Sequence, residues 1–544
     1  MSLRDHLFAD PFKVHSKDEN EQEEEEDITK ANIVNQQPPA TKMELWGYYL
    51  YYNGNNGFTI FSFMPNILQY LATLSGTNPE TGGSCDIQNA LLPCNVNWMN
   101  NTSIPVSTMM LYVQSIAFSV QFLLFTTFGS LADYGRWNRY ILLTATIIAC
   151  TTQIIPIVLV NDDGSHWGIM MAIFIIALIS YGTTLVFYGA AFPTLSDNLP
   201  VVRKARSSNQ LSFKEIENVI EKWRNHVSAI STTWSNIGFL ILTAVLAGPG
   251  FIAWNPQSML GDAPIYNFIC TVVAGGFWIL NAIPYFVFQP RGRQGLPLPP
   301  GESHLTIGWK SIIQALREAK KLRYLFMYIF SYFMFSDAVS TIGTMMTIIT
   351  GEVTNFSALQ STLFGLITAV TSILGCLLFL FLSKTFGIST KTNLLIIVAL
   401  TSIIPLWGCL GISLNNFGFK TTWELWAQAA WSGLFTAPIW AWQQTMLAEL
   451  TPKGKENLFF GLFGIVNKAS SWIGPVVVGA ISQSTSNVWM GWPFVLALFV
   501  VATIIVLFID VDAAKQELAD YENSINSTTV ATRSITSINE KMEP

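Results

Sequence analysis

Between residues 44 and 511 the chain runs through long apolar stretches separated by shorter polar ones, and the apolar stretches show no polar face at helical spacing. A helix on the surface of a soluble protein keeps one apolar stripe, whereas a helix in lipid is apolar on every side. Crossing a hydrocarbon core of ~30 Å takes about 20 such residues. Stretches of that kind lie near 45–74, 106–130, 140–160, 167–188, 229–249, 265–288, 324–350, 357–383, 392–413, 423–447, 458–482 and 492–510. The pattern predicts an all-α polytopic membrane protein with twelve transmembrane helices. The fifth span is the weakest, because Trp234, Ser235 and Asn236 interrupt its start.

Composition agrees: only 12% of the 544 residues are charged against 51% hydrophobic, where a soluble domain carries roughly 25% charged residues. The charge that exists is unevenly placed. Acidic residues crowd the first tail, from Glu19 to Asp27, so residues 1–43 read as a disordered tail that is either simply solvated or a sorting or regulatory segment. The amino terminus lacks the short apolar core of a cleavable signal, so the first span is expected to start insertion itself.

The basic residues set the direction of the spans. With the amino terminus in the cytosol, 27 of the 29 Lys and Arg residues fall on the cytosolic side, in the two tails and the 2–3, 4–5, 6–7, 8–9 and 10–11 loops. Only Lys420 falls on the other side, and Lys468 lies within a span. Positive charge stays in the cytosol, so both termini are expected there. The 1–2 loop then faces the opposite compartment. It carries Cys85 and Cys94, a candidate disulfide, and overlapping acceptors for N-linked glycans at Asn100 and Asn101. Cys150, Cys270, Cys376 and Cys409 sit in spans as small buried side chains.

A basic connection, 289–323, divides the spans six and six: 44–288 forms one half and 324–511 the other, with 512–544 a second cytosolic tail. The connection holds Pro290, Pro297, Pro299 and Pro300, then an amphipathic stretch from Leu305 to Leu322 suited to the membrane surface. The 2–3 loop, Gly129-Ser-Leu-Ala-Asp133-Tyr-Gly135-Arg136-Trp-Asn-Arg139, resembles the signature of the major facilitator superfamily, with one residue missing between Asp133 and Gly135. Asp133 and Arg136 read either as gate residues or as a plain polar turn.

A closer likeness lies in Glu449-Leu-Thr-Pro452-Lys-Gly454-Lys-Glu456 through Asn467-Lys468-Ala-Ser-Ser-Trp472-Ile-Gly474-Pro475, with Gly47-Tyr48-Tyr-Leu-Tyr51 and Phe335-Ser336-Asp337-Ala338 similar in kind. These segments resemble the autophagy-related vacuole effluxer family of the major facilitator superfamily, over roughly residues 44–511. The resemblance implies a major facilitator fold of two six-helix halves, with the solute site at the midplane between them. It also implies a vacuolar membrane location and export of amino acids to the cytosol during autophagic recycling. One departure is Tyr52-Asn53-Gly54-Asn55-Asn56-Gly57, where related sequences often carry an acidic residue or Ser followed by an aromatic after the span-1 tyrosine.

Candidate chemistry follows from what lipid penalises. A charge at the bilayer centre costs about 2.5–3.5 kcal/mol or more, so such residues face a cavity or a partner. Asp337 lies roughly 20 Å into span 7 and Lys468 roughly 15 Å into span 11 at 1.5 Å per residue. They are expected either to pair and hold the second half together, or to face the solute path with Asp337 taking up a proton. Asn53, Asn55 and Asn56, set among glycines, weaken span 1 in its middle, as at the interrupted spans that bind solutes in many transporters; a helix-packing seam is the other reading. Gln443 in span 10 offers an amide, and Glu449 at the end of that span suits a gate.

The histidines His6, His15, His166, His226 and His304 all lie in tails or loops, which leaves no metal cluster within the spans. A Gly-Lys-Ser/Thr phosphate loop is missing, which disfavours pumping by ATP. No cofactor and no nucleic-acid partner are expected. The partners are a small polar solute, amino acids by the resemblance, together with protons and the lipid bilayer. The sequence therefore reads as a secondary transporter working by alternating access rather than an enzyme. A receptor or scaffold that keeps the fold without transporting, and a carrier of another polar solute, remain open.

Overall fold

A computed structural model describes residues 37–86, 93–98, 102–128, 137–208, 213–255, 258–260, 263–290, 303, 306–318, 321–354, 356–451, 456–518 and 520–521. Among these, nine helices are long and apolar enough to cross a membrane. The three remaining apolar runs, near 45–74, 423–447 and 458–482, are each built from two helical pieces, so none forms one uninterrupted span.

The first run is α1 (Lys42–Gly54) followed by α2 (Phe58–Ser75). Thr41 caps α1 by accepting the Glu44 N–H at 3.1 Å. The helix ends because Asn55 leaves helical geometry and Gly57 takes φ +72°, a left-handed conformation that glycine adopts without a Cβ clash. A side chain at Gly57 would also collide with the Tyr181 ring. The next spans are continuous: α3 (Val106–Phe128), α4 (Trp137–Ile154, extended by a 3-10 turn to Leu159), α5 (Trp167–Asp197), and then, after the short α6 (Pro200–Arg206), α7 (Phe213–Gly250) and α8 (Ile265–Phe288). Trp234, Ser235 and Asn236 do not break α7, which runs unbroken through them.

Between α2 and α3, strands β1 (Asn95–Asn97) and β2 (Ser103–Pro105) pair antiparallel, and Cys85 is disulfide-bonded to Cys94 with a Cα–Cα distance of 5.6 Å. Asn100 and Asn101 lie outside the described residues, as do Asp133 and Arg136. The neighbouring Arg139 is placed: its guanidinium donates to the carbonyls of Phe286 (2.7 Å) and Gln289 (2.9 Å), closing the carboxyl end of α8 where a cation is favoured.

After the surface helix α9 (Ile307–Glu318) come α10 (Arg323–Val353), α11 (Ala358–Phe386) and α12 (Thr390–Ser413). The tenth apolar run is α13 (Thr422–Trp431), a π turn over Ser432–Thr436, and α14 (Ile439–Leu450). Pro438 cannot donate to the preceding turn, which fits an irregular passage. Gly375 of α11 lies so close to the Leu434 carbonyl that an added Cβ would sit 2.2 Å from it. The eleventh run is α15 (Glu456–Ser470) and α16 (Ile473–Thr485), and the chain returns through α17 (Trp492–Leu507).

Two compact units result. The first holds Met1–Val106, Leu123–Thr306 and Asn355–Ala369; the second holds Ser107–Phe122, Ile307–Thr354 and Val370–Pro544. Residues 107–122 of α3 thus group with the second unit and the start of α11 with the first. In the first unit Phe63, Leu242, Leu246, Tyr266, Cys270 and Ala274 form an apolar cluster. In the second, Glu424 anchors the loop before α13. Its buried carboxylate accepts from Trp407 Nε1 (2.8 Å), the Gly418 (2.7 Å), Lys420 (2.9 Å) and Thr421 (3.0 Å) N–H groups, and the Thr421 hydroxyl (2.8 Å).

Candidate functional site

The break in the first unit gathers polar groups that an ordinary span would not carry. Asn53 is buried and donates from Nδ2 to the Trp234 carbonyl at 2.9 Å. Its own backbone is pressed against Gly238 of α7, where a Cβ would lie 1.9 Å from the Asn53 carbonyl oxygen. Asn56 turns back on the break: Nδ2 donates to the Asn53 carbonyl (3.4 Å) and Oδ1 accepts the Phe58 N–H (3.1 Å), one of the amides that the start of α2 leaves without a helical partner.

Asn55 is fully buried. Its Nδ2 donates to Thr184 Oγ1 at 3.1 Å, and Thr184 in turn donates to the Tyr181 carbonyl at 2.7 Å. The Asn55 Oδ1 atom is buried without a hydrogen-bond partner among the described residues, and so is Trp278 Nε1. Trp278 packs on this break, because its Cδ1, bonded to Nε1, lies 3.1 Å from where a Cβ on Gly54 would stand. One orphaned acceptor, on Asn55, and one orphaned donor, on the Trp278 that packs against Gly54, thus lie at this break, and each costs about 1–3 kcal/mol unless a ligand or water completes it.

Tyrosines line the α1 side of the break. Tyr48 and Tyr188 stack at 4.2 Å, Tyr52 and Tyr51 approach Tyr188 at 4.9 and 5.2 Å, and the Tyr188 hydroxyl donates to the Tyr48 carbonyl at 3.0 Å. The Tyr51 hydroxyl shares a 2.7 Å hydrogen bond with Thr146.

The second unit has its own break, between α15 and α16, and it is answered by a carboxylate. Asp337 is buried on α10, and its Oδ1 accepts the Gly474 N–H at 3.0 Å and the Thr341 hydroxyl at 3.5 Å. Negative charge at the amino end of a helix meets unpaired N–H groups and the positive end of the helix dipole. A Cβ on Gly474 would stand 1.8 Å from Thr341 Oγ1 and 2.8 Å from Asp337 Oδ1, so glycine is what lets α10 approach. Seven residues before Gly474, Asn467 donates to the hydroxyls of Tyr332 and Ser336, and the Tyr332 ring stacks on Phe463 at 3.6 Å. Lys468 follows directly on α15, but its side chain lies outside the described residues, as does any pairing with Asp337.

Gln443 is buried, and its backbone carbonyl accepts the Tyr328 hydroxyl at 2.7 Å. Glu449 accepts the Thr390 hydroxyl at 2.5 Å, tying the end of α14 to the start of α12. Both lie on α14, yet no bond joins either of them to Asp337 among the described residues. Lys420, the lone cation of its side in the charge pattern, has its ammonium 3.3 Å from the centre of the Trp489 ring. Burial lowers its pKa, and the nearby Glu352 charge opposes that shift.

A family model described as "Vacuole effluxer Atg22 like" matches residues 40–519. The chain belongs to this family. Its Atg22-like relatives include autophagy-related protein 22 of Gibberella zeae, 23% identical over 90% of this chain and 83% of the relative. The Vanderwaltozyma polyspora protein of the same name is 24% identical over 89% and 94%. Among solved structures, the nucleoside transporter NupG matches with a TM-score of 0.52 at 13% identity over 86% of this chain and all of that one. The xylose transporter XylE of E. coli, in an inward open conformation, gives 0.52 at 12% identity over 85% and 95%. At these identities the likeness shows the fold, which is that of the major facilitator transporters. This member of the effluxer family is a multi-pass membrane transporter.

Several residues of the two breaks carry no mark in the sequence. Thr184, Tyr181, Trp278 and Gly238 sit in ordinary apolar spans, and only packing brings them to Asn53–Gly57. The break in the eleventh run had one local signal, the Gly474-Pro475 pair early in α16, where proline suits the first turn of a helix.

Proposed function

We propose that the protein is a secondary transporter that releases amino acids from the vacuole lumen to the cytosol, with both termini in the cytosol, and that it is not an enzyme. The observation that carries this reading is the pair of unmatched atoms at the span-1 break. A free amino acid presents a cation and an anion two bonds apart. Asn55 Oδ1 suits the ammonium group, and Trp278 Nε1, with the first amides of α2, suits the carboxylate. The tyrosines beside the break supply an apolar wall for the side chain. The description of the matching family favours the vacuole, and the concentration of basic residues on one side favours cytosolic termini.

Asp337 is assigned to coupling. Ionised, it accepts the Gly474 N–H and holds α16 in place; protonated, it becomes a donor and that attraction weakens. A proton taken up there would change the geometry of the eleventh run, which also carries Lys468, six residues before Gly474. Asp133, Arg136 and Glu449 are assigned to gating, and Gln443 to support of α10 through Tyr328. Comparison of amino-acid content in vacuoles from cells with and without the protein tests the reading. Vacuoles lacking it should retain excess amino acids during starvation; equal content in both would remove the proposed function and favour a non-transporting receptor.

A further inference from the structure

We propose that α9 is an anionic-phospholipid-binding helix that holds the connection between the two six-span halves against the membrane surface. Trp309, Ile313 and Arg317 are spaced four apart and Lys310 follows Trp309, which at 100° per residue places all four within an arc of about 100°. All four side chains reach solvent: Trp309 is 41% and Ile313 48% exposed, and Lys310 and Arg317 are exposed too. The opposite side is fixed to the protein, with Ile307 buried and α9 resting on α15 within the second unit. An aromatic and a branched aliphatic side chain flanked by two cations match a boundary where acyl chains meet headgroups.

Lipid is favoured over a protein partner by reach and by charge. Five residue steps separate Glu318, the end of α9, from Arg323, the start of a membrane-spanning helix. Fully extended they reach at most roughly 18 Å, so α9 stays beside the bilayer surface. Residues 289–323 carry seven basic residues against two acidic ones, Glu302 and Glu318, an excess that attracts anionic headgroups within a Debye length. The inference needs only that the chain is embedded in a membrane, so it stands or falls independently of the transported solute.

The test uses full-length protein carrying Ile313→Cys, labelled with an environment-sensitive fluorophore and reconstituted into phosphatidylcholine vesicles. Unsubstituted protein treated identically reports any label on the native thiols. A minor fraction of the lipid is dibrominated phosphatidylserine or, in parallel, dibrominated phosphatidylcholine. Quenching by the serine lipid should exceed that by the choline lipid by about twofold and fall to parity in molar salt, a control that needs no further mutation. Adding Lys310→Gln and Arg317→Gln should abolish the excess at low salt while leaving choline-lipid quenching in place. Equal quenching by both lipids at low salt would show contact without charge recognition and overturn the proposal. Absence of quenching by either would show that protein covers this face, and would overturn it as well.

Discussion

The two units each contain a broken span deep in an apolar region, and they answer it with different chemistry. In the first, the break at Asn55–Gly57 is surrounded by neutral amides, hydroxyls and an indole, and two of its polar atoms are left unmatched. In the second, the break between α15 and α16 is closed by one ionisable group, Asp337, bound to the Gly474 N–H. A neutral, partly unsatisfied break is suited to holding something that comes and goes. A break closed by a carboxylate is suited to responding to a proton. Under the proposed function, the contrast assigns recognition to one region of the chain and coupling to another.

The largest effect should come from removing the close approach that the first break depends on. Gly238→Ala places a Cβ 1.9 Å from a backbone oxygen, which cannot rotate away as a side chain could. Such overpacking costs about 3 kcal/mol, and the variant should show a much reduced yield of monodisperse protein and a lower Tm in detergent. Normal yield and Tm would mean that α1 and α7 are not packed as described.

Next comes the carboxylate itself. Asp337→Ala removes the acceptor for the Gly474 N–H and should cost about 1–2 kcal/mol, the usual worth of a capping side chain. Asp337→Asn keeps a carbonyl acceptor and should retain most of that stability, yet it cannot exchange a proton. Thermal unfolding separates the two substitutions, and transport at different lumenal pH separates capping from coupling. If Asp337→Asn and Lys468→Met both transport with the normal pH response, the coupling role is lost and only capping remains.

At Asn55 stability and function should part. Asn55→Leu deletes an unmatched buried oxygen, and Thr184 keeps its own bond to the Tyr181 carbonyl, so the change in stability should stay within about 1 kcal/mol. Amino-acid flux should nevertheless fall by about tenfold or more, equivalent to about 1.4 kcal/mol of lost solute or transition-state binding. Unchanged flux would assign the asparagines to helix packing. Trp278→Phe is the mildest probe: it removes one N–H and keeps most of the ring, and should raise the half-saturating solute concentration about threefold to tenfold. No change would release Trp278 from solute contact.

How much of this was legible in the sequence depended on whether the signal was local. Apolar runs of span length are local, and the nine continuous spans lie where the pattern puts them. Asn53–Gly57 is local too: three amides and two glycines in five positions weaken any helix, and the chain breaks there. The π turn at Ser432–Thr436 has no comparable mark, because it accompanies the close packing of Gly375 on the Leu434 carbonyl, 59 residues away in sequence. Asp337 stood out as a costly charge in lipid, but its partner Gly474 could not be read, since a backbone N–H becomes available only once the eleventh run is broken. Glu424 carries no local mark for a similar reason: its donors come from a loop whose folding creates the site it fills.

The most direct measurement is uptake of labelled neutral amino acids by sealed proteoliposomes, with and without an imposed proton gradient, for the unsubstituted protein and Asp337→Asn. The account predicts flux above protein-free vesicles for both, accelerated by the gradient only when Asp337 is present. Flux no greater than in protein-free vesicles, or an equal response to the gradient in both proteins, would contradict it.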